Sequence, residues 1–128
     1  MNKQYTPGTV APPFSAYSHA VEIPADARTL HISGQIGVRP DGSIPDGIEA
    51  QVEQAWENLV AILADADMSV ADIVRTTTFV VKPDDVAATR AIRTKYLGDC
   101  KPASTLLVVA ALARPDFLFE LEAVAAKE

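Results

Sequence analysis

The segment LLVVAAL, residues 106–112, is apolar at every position and lies just after the turn residues Lys101 and Pro102. Successive side chains of a strand point to opposite faces of its sheet, so a strand of this composition is expected to bury both faces. Helices of the same chain can cover one face of a small sheet. A second copy of the chain is the simplest cover for the other face, and the pattern therefore predicts a homo-oligomer.

The remaining patterns predict an α+β domain that spans residues 1–128. Three prolines within residues 1–15 favour an extended N-terminal arm. Alternating and 3.6-residue periodicities then predict the order β-β-α-β-α-β-β, with two helices on one face of the sheet. The predicted strands cover 16–23, 28–38, 72–81, 103–112 and 117–126, and the predicted helices cover 46–66 and 83–97.

Both predicted helices carry an apolar stripe. In the first, Asp46 is expected to be the N-cap, with Glu49 completing a capping box, and Trp56 lies on the stripe as a core residue. The second helix is expected to end at Gly98. Two arginines, Arg90 and Arg93, lie on or beside its inward stripe, and the pattern leaves open whether they face solvent or a pocket.

Composition excludes several classes of partner. Eleven basic residues against 17 acidic ones give a net charge of −6, and no basic run is present that would bind nucleic acid. No membrane-spanning segment or signal peptide is apparent, and the single cysteine, Cys100, suits a reducing compartment. These features predict a soluble, cytoplasmic protein that binds neither nucleic acid nor membrane.

The same inventory favours no metal and no cofactor. The two histidines, His19 and His31, have no second ligand at a suitable spacing, and no glycine-rich phosphate loop is present. The most unusual polar group is Glu120, which lies between Leu118 and Glu122 on one face of the last predicted strand. It is either an edge-strand carboxylate turned to solvent or a functional group, because a buried carboxylate is costly without a partner or a role.

Several blocks of the sequence resemble one family. The motifs are SGQI at 33–36, DIV-x-TT-x-FV at 72–80, KPAST at 101–105 and E-x-EA-x-A at 120–125. Together they are similar to the Rid/YjgF family, also called the L-PSP endoribonuclease-like family, over residues 17–126. The resemblance implies a chorismate-mutase-like fold, a homotrimeric barrel, ligand clefts between subunits and, in many members, deamination of small reactive enamines or imines.

The resemblance also implies roles for particular residues. It places the water-positioning glutamate at Glu120 and pocket-lining groups at Tyr17 and Ser33, which form the expected catalytic set. The position of the arginine that binds a substrate carboxylate in deaminating members falls on Ser104, and a common cysteine position falls on Leu106. The expected substrate-binding set is Ser104, Thr105, Gly34, Gln35, Leu106 and Arg90.

The absence of an arginine at position 104 changes the expected ligand. A serine offers one neutral hydrogen bond, whereas an arginine holds a carboxylate with two charge-assisted bonds. Either Arg90, at a position matching a pocket-side asparagine, supplies the charge, or the ligand is not a 2-imino acid and Ser104 with Thr105 binds an amide, a hydroxyl or a ring nitrogen. The sequence thus favours a deaminase or hydrolase of altered specificity, with a non-catalytic, ligand-binding regulatory protein as the alternative. RNA cleavage is the weakest hypothesis because the chain is acidic.

Overall fold

A computed structural model describes residues 1–128 and contains a four-stranded and a two-stranded sheet. The four-stranded sheet has the order β3-β6-β4-β5, and only its β4–β5 pair is parallel. The parallel pair needs a crossover, which α2 provides. The elements are β1 (Lys3–Tyr5), β2 (Ala20–Glu22), β3 (Arg28–Gln35), α1 (Ile48–Asp65), β4 (Ile73–Val80), α2 (Val86–Leu97), β5 (Ala103–Val108) and β6 (Phe119–Lys127).

Both helices pack on one face of the four-stranded sheet, as the sequence predicts, and the fold class is α+β. The core lies between this face and the helices, and Trp56 is fully buried in it. The Trp56 ring stacks on the ring of Tyr96 in α2, with ring centroids 5.6 Å apart. The Tyr96 hydroxyl donates a hydrogen bond to Glu53 of α1, and burial together with this bond raises the pKa of Tyr96. The prediction that Trp56 is a core residue is confirmed.

The opposite face, called here the open face, has no cover within the chain. It carries the alternate residues of each strand, among them His31, Ser33, Arg75, Thr77, Thr105, Leu107, Glu120 and Glu122. Leu107 and Val108 of the edge strand β5 are 44% and 47% exposed. An exposed apolar edge strand is a surface that proteins normally cover. The homo-oligomer expected from the sequence remains a prediction. Strand β5 is the apolar surface that a second copy of the chain would cover.

Three local predictions are wrong. The N-cap of α1 is Gly47, whose φ of 88° lies in the left-handed region, so Asp46 lies outside the helix and forms no capping box. Strand β5 ends at Val108 rather than at residue 112. The strand predicted over 16–23 is shorter in the structure, where β2 covers Ala20–Glu22 and pairs with residues 3–5 of the N-terminal arm in a separate small sheet.

A buried glutamine fixes the start of β6. The Gln51 side chain, on α1, donates hydrogen bonds to the carbonyl oxygens of Pro45 and Asp116 and accepts one from the Leu118 backbone amide. It therefore links the loop before α1 to the residues that lead into β6. This link sets the position of Glu120, two residues further along.

Neither helix is long and apolar enough to cross a membrane.

Candidate functional site

Glu120 lies beside a β-bulge between β3 and β6. The register shifts between Ile32, opposite Ala123, and Gln35, opposite Leu121, so one extra residue is present in β3. At this bulge Gly34 faces the Glu120 side chain, and a Cβ at Gly34 would overlap with the carboxylate. The SGQ motif thus provides the space that the carboxylate fills, because glycine is the only residue without a side chain.

The Glu120 side chain is half-buried and free of protein partners. It forms no ion pair and no side-chain hydrogen bond within the chain. Strand β6 lies between β3 and β4, so the interpretation of Glu120 as an edge-strand carboxylate is wrong. A positioned carboxylate without a partner can accept a proton from a water molecule.

Ser33 and Gly34 of the SGQ motif lie on the open face near Glu120, whereas Gln35 pairs with the core residue Leu121 and lies on the helix side of the strand. Ser33 is exposed and lines a pocket of about 350 Å³ together with His31, Arg75 and Glu122. Gln35 donates a hydrogen bond to the Ser33 carbonyl oxygen at 3.1 Å. Ser33, Gly34 and Glu120 therefore form one group, called here the open-face cluster.

Ser104 belongs to a different group, on the helix side of the sheet. Its Oγ accepts a hydrogen bond from Thr76 Oγ1 at 3.2 Å and lies 3.5 Å from Nη1 of Arg93 in α2. The Arg93 Nη2 donates to Ser15 Oγ at 3.1 Å. Ser15, Thr76, Arg93 and Ser104 are called here the helix-side cluster. Burial lowers the pKa of Arg93, and the charge of Arg90 lowers it further.

The remaining predicted binding residues are divided between the two faces. Arg90 is exposed and forms no side-chain hydrogen bond with Ser104, so the guanidinium beside Ser104 is that of Arg93. Thr105 points to the open face, where it accepts a hydrogen bond from Arg75 at 3.1 Å. The side chains of Ser104 and Thr105 therefore point to opposite faces of the sheet. Leu106 packs against the core.

Tyr17 lies at the Ser104 end of β5. Its hydroxyl accepts a hydrogen bond from the Phe14 backbone amide at 3.4 Å, and its ring packs edge-on against His19. The next residue, Ser18, forms a bridge with Ala103. Tyr17 and Ser15 line a second pocket, of about 490 Å³, which also includes Lys101. Within one chain, Tyr17 is therefore near the helix-side cluster and away from Glu120.

The two clusters are too far apart to act together within one chain. Ser104 pairs with Thr76 of β4, whereas Glu120 pairs with Phe79, three residues further along that strand. Strands about 4.8 Å apart with a rise of about 3.3 Å per residue place the two Cα atoms roughly 14 Å apart. Their side chains also point to opposite faces of the sheet. A small ligand that contacts both clusters needs one cluster from each of two chains.

Sequence reasoning missed that Arg93, Ser15 and Thr76 gather around Ser104. Arg93 follows Arg90 by three residues, so both are on neighbouring positions of the helix surface, and the family pattern pointed to Arg90. Burial distinguishes the two, since Arg93 is 5% exposed.

No group of three or more His, Cys, Asp or Glu side chains is arranged to hold a metal ion.

Comparisons with known proteins give a consistent result. A family model described as Endoribonuclease L-PSP matches residues 8–127. A RutC family protein of Pyrococcus abyssi is 34% identical over 91% of this chain and 90% of its own length. The 2-iminobutanoate/2-iminopropanoate deaminase of Mus musculus is 34% identical over 85% of this chain and 79% of its own length. The crystal structure of YyfB, a Rid family protein of Yersinia pestis, matches with a TM-score of 0.87 and 37% identity over 98% of both chains.

Proposed function

Since the chain belongs to the Endoribonuclease L-PSP family, also called the Rid/YjgF family, we propose that it is an imine deaminase-type enzyme that hydrolyses a small enamine or imine. Relatives named as 2-iminobutanoate/2-iminopropanoate deaminases, from mouse, rat and human, support this class of reaction. The observation that carries the proposal is the unpaired Glu120 carboxylate held against Gly34 at the bulge.

The proposed chemistry uses that carboxylate as a general base. An enamine first tautomerises to its imine. A water oxygen then attacks the carbon of the C=N bond while Glu120 accepts a proton from the water and passes it to the nitrogen, which gives a carbinolamine. Glu120 then moves the hydroxyl proton to the nitrogen, the C–N bond breaks as the C=O bond forms, and a carbonyl compound and ammonia leave with the carboxylate regenerated. No cofactor or metal is needed for this sequence of proton transfers.

The position of the two clusters supports a site shared between chains. Glu120 lies on the open face, whereas Ser104 lies on the helix side, and one chain cannot bring both to a small substrate. We propose a homotrimer with its clefts between subunits, in which the exposed apolar edge at Leu107 and Val108 is covered.

Gly34→Ala is expected to lower kcat for imine hydrolysis by about 100-fold, because the new Cβ displaces the carboxylate and small misplacements of a catalytic group have effects of that size. Hydrolysis is measured as the release of 2-oxobutanoate from 2-iminobutanoate, which a threonine dehydratase generates in the assay. Gly8→Ala is the matched control, because a Cβ at Gly8 meets nothing within 4 Å. Equal rates for Gly34→Ala and the wild type would show that the fit between Gly34 and Glu120 is irrelevant to turnover.

We further propose that specificity differs from that of arginine-bearing relatives, because residue 104 has no charge and the only guanidinium beside it comes from α2. A simple 2-imino acid then has no anchor on β5 and is a poor substrate. An arginine introduced at residue 104 should restore the anchor and improve the hydrolysis of 2-imino acids.

The double variant Ser104→Arg/Arg93→Met is therefore expected to raise kcat/KM for 2-iminobutanoate by roughly ten- to a hundredfold, the value of a charge-assisted hydrogen bond. The second substitution removes the Arg93 guanidinium, which lies beside Ser104 Oγ where the new side chain must pass. Ser104→Ala/Arg93→Met is the control without a cation. If the wild type already matches the double variant, the proposed change in specificity is wrong, although the deaminase assignment stands.

A further inference from the structure

Arg93 is a buried cation without an acidic partner. Its side chain is 5% exposed, and none of the ion pairs of the chain includes it. Its hydrogen-bond acceptors are two neutral hydroxyl oxygens, of Ser15 and Ser104. Burial of an unneutralised charge is costly, and such charges in folded proteins are normally paired. The position of Arg93 therefore calls for an anion.

The hydroxyl groups around Arg93 are arranged to donate to such an anion. Ser104 Oγ accepts from Arg93 and forms a hydroxyl–hydroxyl hydrogen bond with Thr76, and its own O–H can turn to donate to an anion when Thr76 donates to it. Ser15 Oγ accepts from Arg93, and its O–H forms no other bond in the chain. Arg93 uses two of its five N–H groups on these serines and retains the others. The helix-side cluster therefore offers an anion several donors, including the free N–H groups of Arg93 and the O–H of Ser15.

We propose that the helix-side cluster binds the carboxylate of the substrate, with Arg93 of α2 as its anchor and the hydroxyls of Ser104 and Ser15 as additional donors. This inference rests on the proposed function and extends it to a substrate class. A planar guanidinium matches a carboxylate with two parallel hydrogen bonds. The charge of Arg90 on the same helix adds to the positive potential there.

The position of the cation also sets the length of the ligand. An arginine at residue 104 would carry its guanidinium at the end of a long side chain, whereas Arg93 lies beside an oxygen bonded directly to the Cβ of Ser104. The cation is therefore closer to the strand than the guanidinium of an arginine at residue 104 would be, so the ligand carboxylate must also lie closer to the strand. The substrate class is a carboxylic acid with two or more carbons between the carboxylate and the C=N carbon.

Binding of stable oxo acids tests this without any turnover. Isothermal titration calorimetry would compare 4-oxopentanoate, its neutral amide 4-oxopentanamide and the shorter 2-oxobutanoate. The proteins are the wild type, Arg93→Met, and the control Arg28→Met, which removes an exposed arginine at the far end of β3. We expect 4-oxopentanoate to bind the wild type and Arg28→Met equally, and Arg93→Met ten- to a hundredfold more weakly. The amide should bind all three equally weakly, and 2-oxobutanoate should bind the wild type more weakly than 4-oxopentanoate.

A second measurement separates ligand binding from a structural role. An unneutralised buried cation disfavours folding, so Arg93→Met without ligand should keep or raise the Tm and leave the oligomer mass unchanged. A lower Tm or an altered mass would overturn the proposal, because Arg93 would then pair with a group of the protein or of a second copy. Equal binding of 4-oxopentanoate by Arg93→Met, or none by the wild type, would overturn it as well. Tighter binding of 2-oxobutanoate would overturn the assigned length. Loss of turnover in Glu120 variants would support the proposed function, and it is independent of the binding measurements that test Arg93.

Discussion

Replacement of Glu120 by glutamine is expected to lower kcat for imine hydrolysis by about 10²–10⁴-fold, the usual contribution of a general base. The amide has nearly the same size and leaves the contact with Gly34 in place, but it cannot accept a proton from water. Initial rates of 2-oxo acid release at a fixed pH measure the change in kcat.

Glu122→Gln is the matched control for this experiment. Glu122 lies two residues along the same strand, on the same face, and is exposed. Its variant should retain the wild-type kcat. Unchanged kcat in Glu120→Gln would remove Glu120 from the mechanism. A wild type that binds oxo acids but hydrolyses no imine would instead favour a ligand-binding regulatory protein.

Trp56→Ala is expected to reduce the free energy of unfolding by about 3–5 kcal/mol, the range for truncation of a large buried aromatic side chain. The ring is 1% exposed and joins α1 to Tyr96 of α2, so the cavity would lie between the two helices. Domains of ordinary stability unfold with about 5–15 kcal/mol, and the variant would therefore lose a large part of its stability. Urea unfolding followed by circular dichroism measures this, since the variant has no tryptophan left for fluorescence.

Val60→Ala on the same helix is the comparison, because Val60 is 38% exposed. It should cost less than about 1 kcal/mol. A Trp56→Ala variant no less stable than Val60→Ala would mean that the contact between the two helices contributes little to the fold.

The sequence predicts best the elements that repetition defines. The apolar stripe of α1 recurs over five turns, so the helix and the burial of Trp56 are both visible in it. Gly98 marks the end of α2 and has a φ of 57° there, which glycine adopts most readily. The alternation along β6 likewise assigns Phe119 and Leu121 to the core and Glu120 to the opposite face.

The errors come from features that periodicity does not encode. Asp46 has the chemistry of an N-cap, but the backbone conformation of Gly47 places the helix start one residue later. The apolar run predicts a strand to residue 112, yet β5 has a partner only as far as Val108, opposite Val80 at the end of β4. At the site, Arg90 and Arg93 cannot be told apart by spacing, because both are near the inward stripe. Only the packing of α2 against β5 shows which guanidinium reaches Ser104.

The placement of Glu120 and Ser104 on opposite faces of one sheet has a genetic consequence. In the proposed assembly, each chain gives its base to one cleft and its anion-binding cluster to another. A chain with an inactivating substitution on one face still contributes its unaltered face to the cleft that it forms with a neighbouring chain. Two inactive alleles, one altered at Glu120 and the other at Arg93, would therefore complement each other in mixed assemblies. Some clefts would combine the unaltered Glu120 of one chain with the unaltered Arg93 of another.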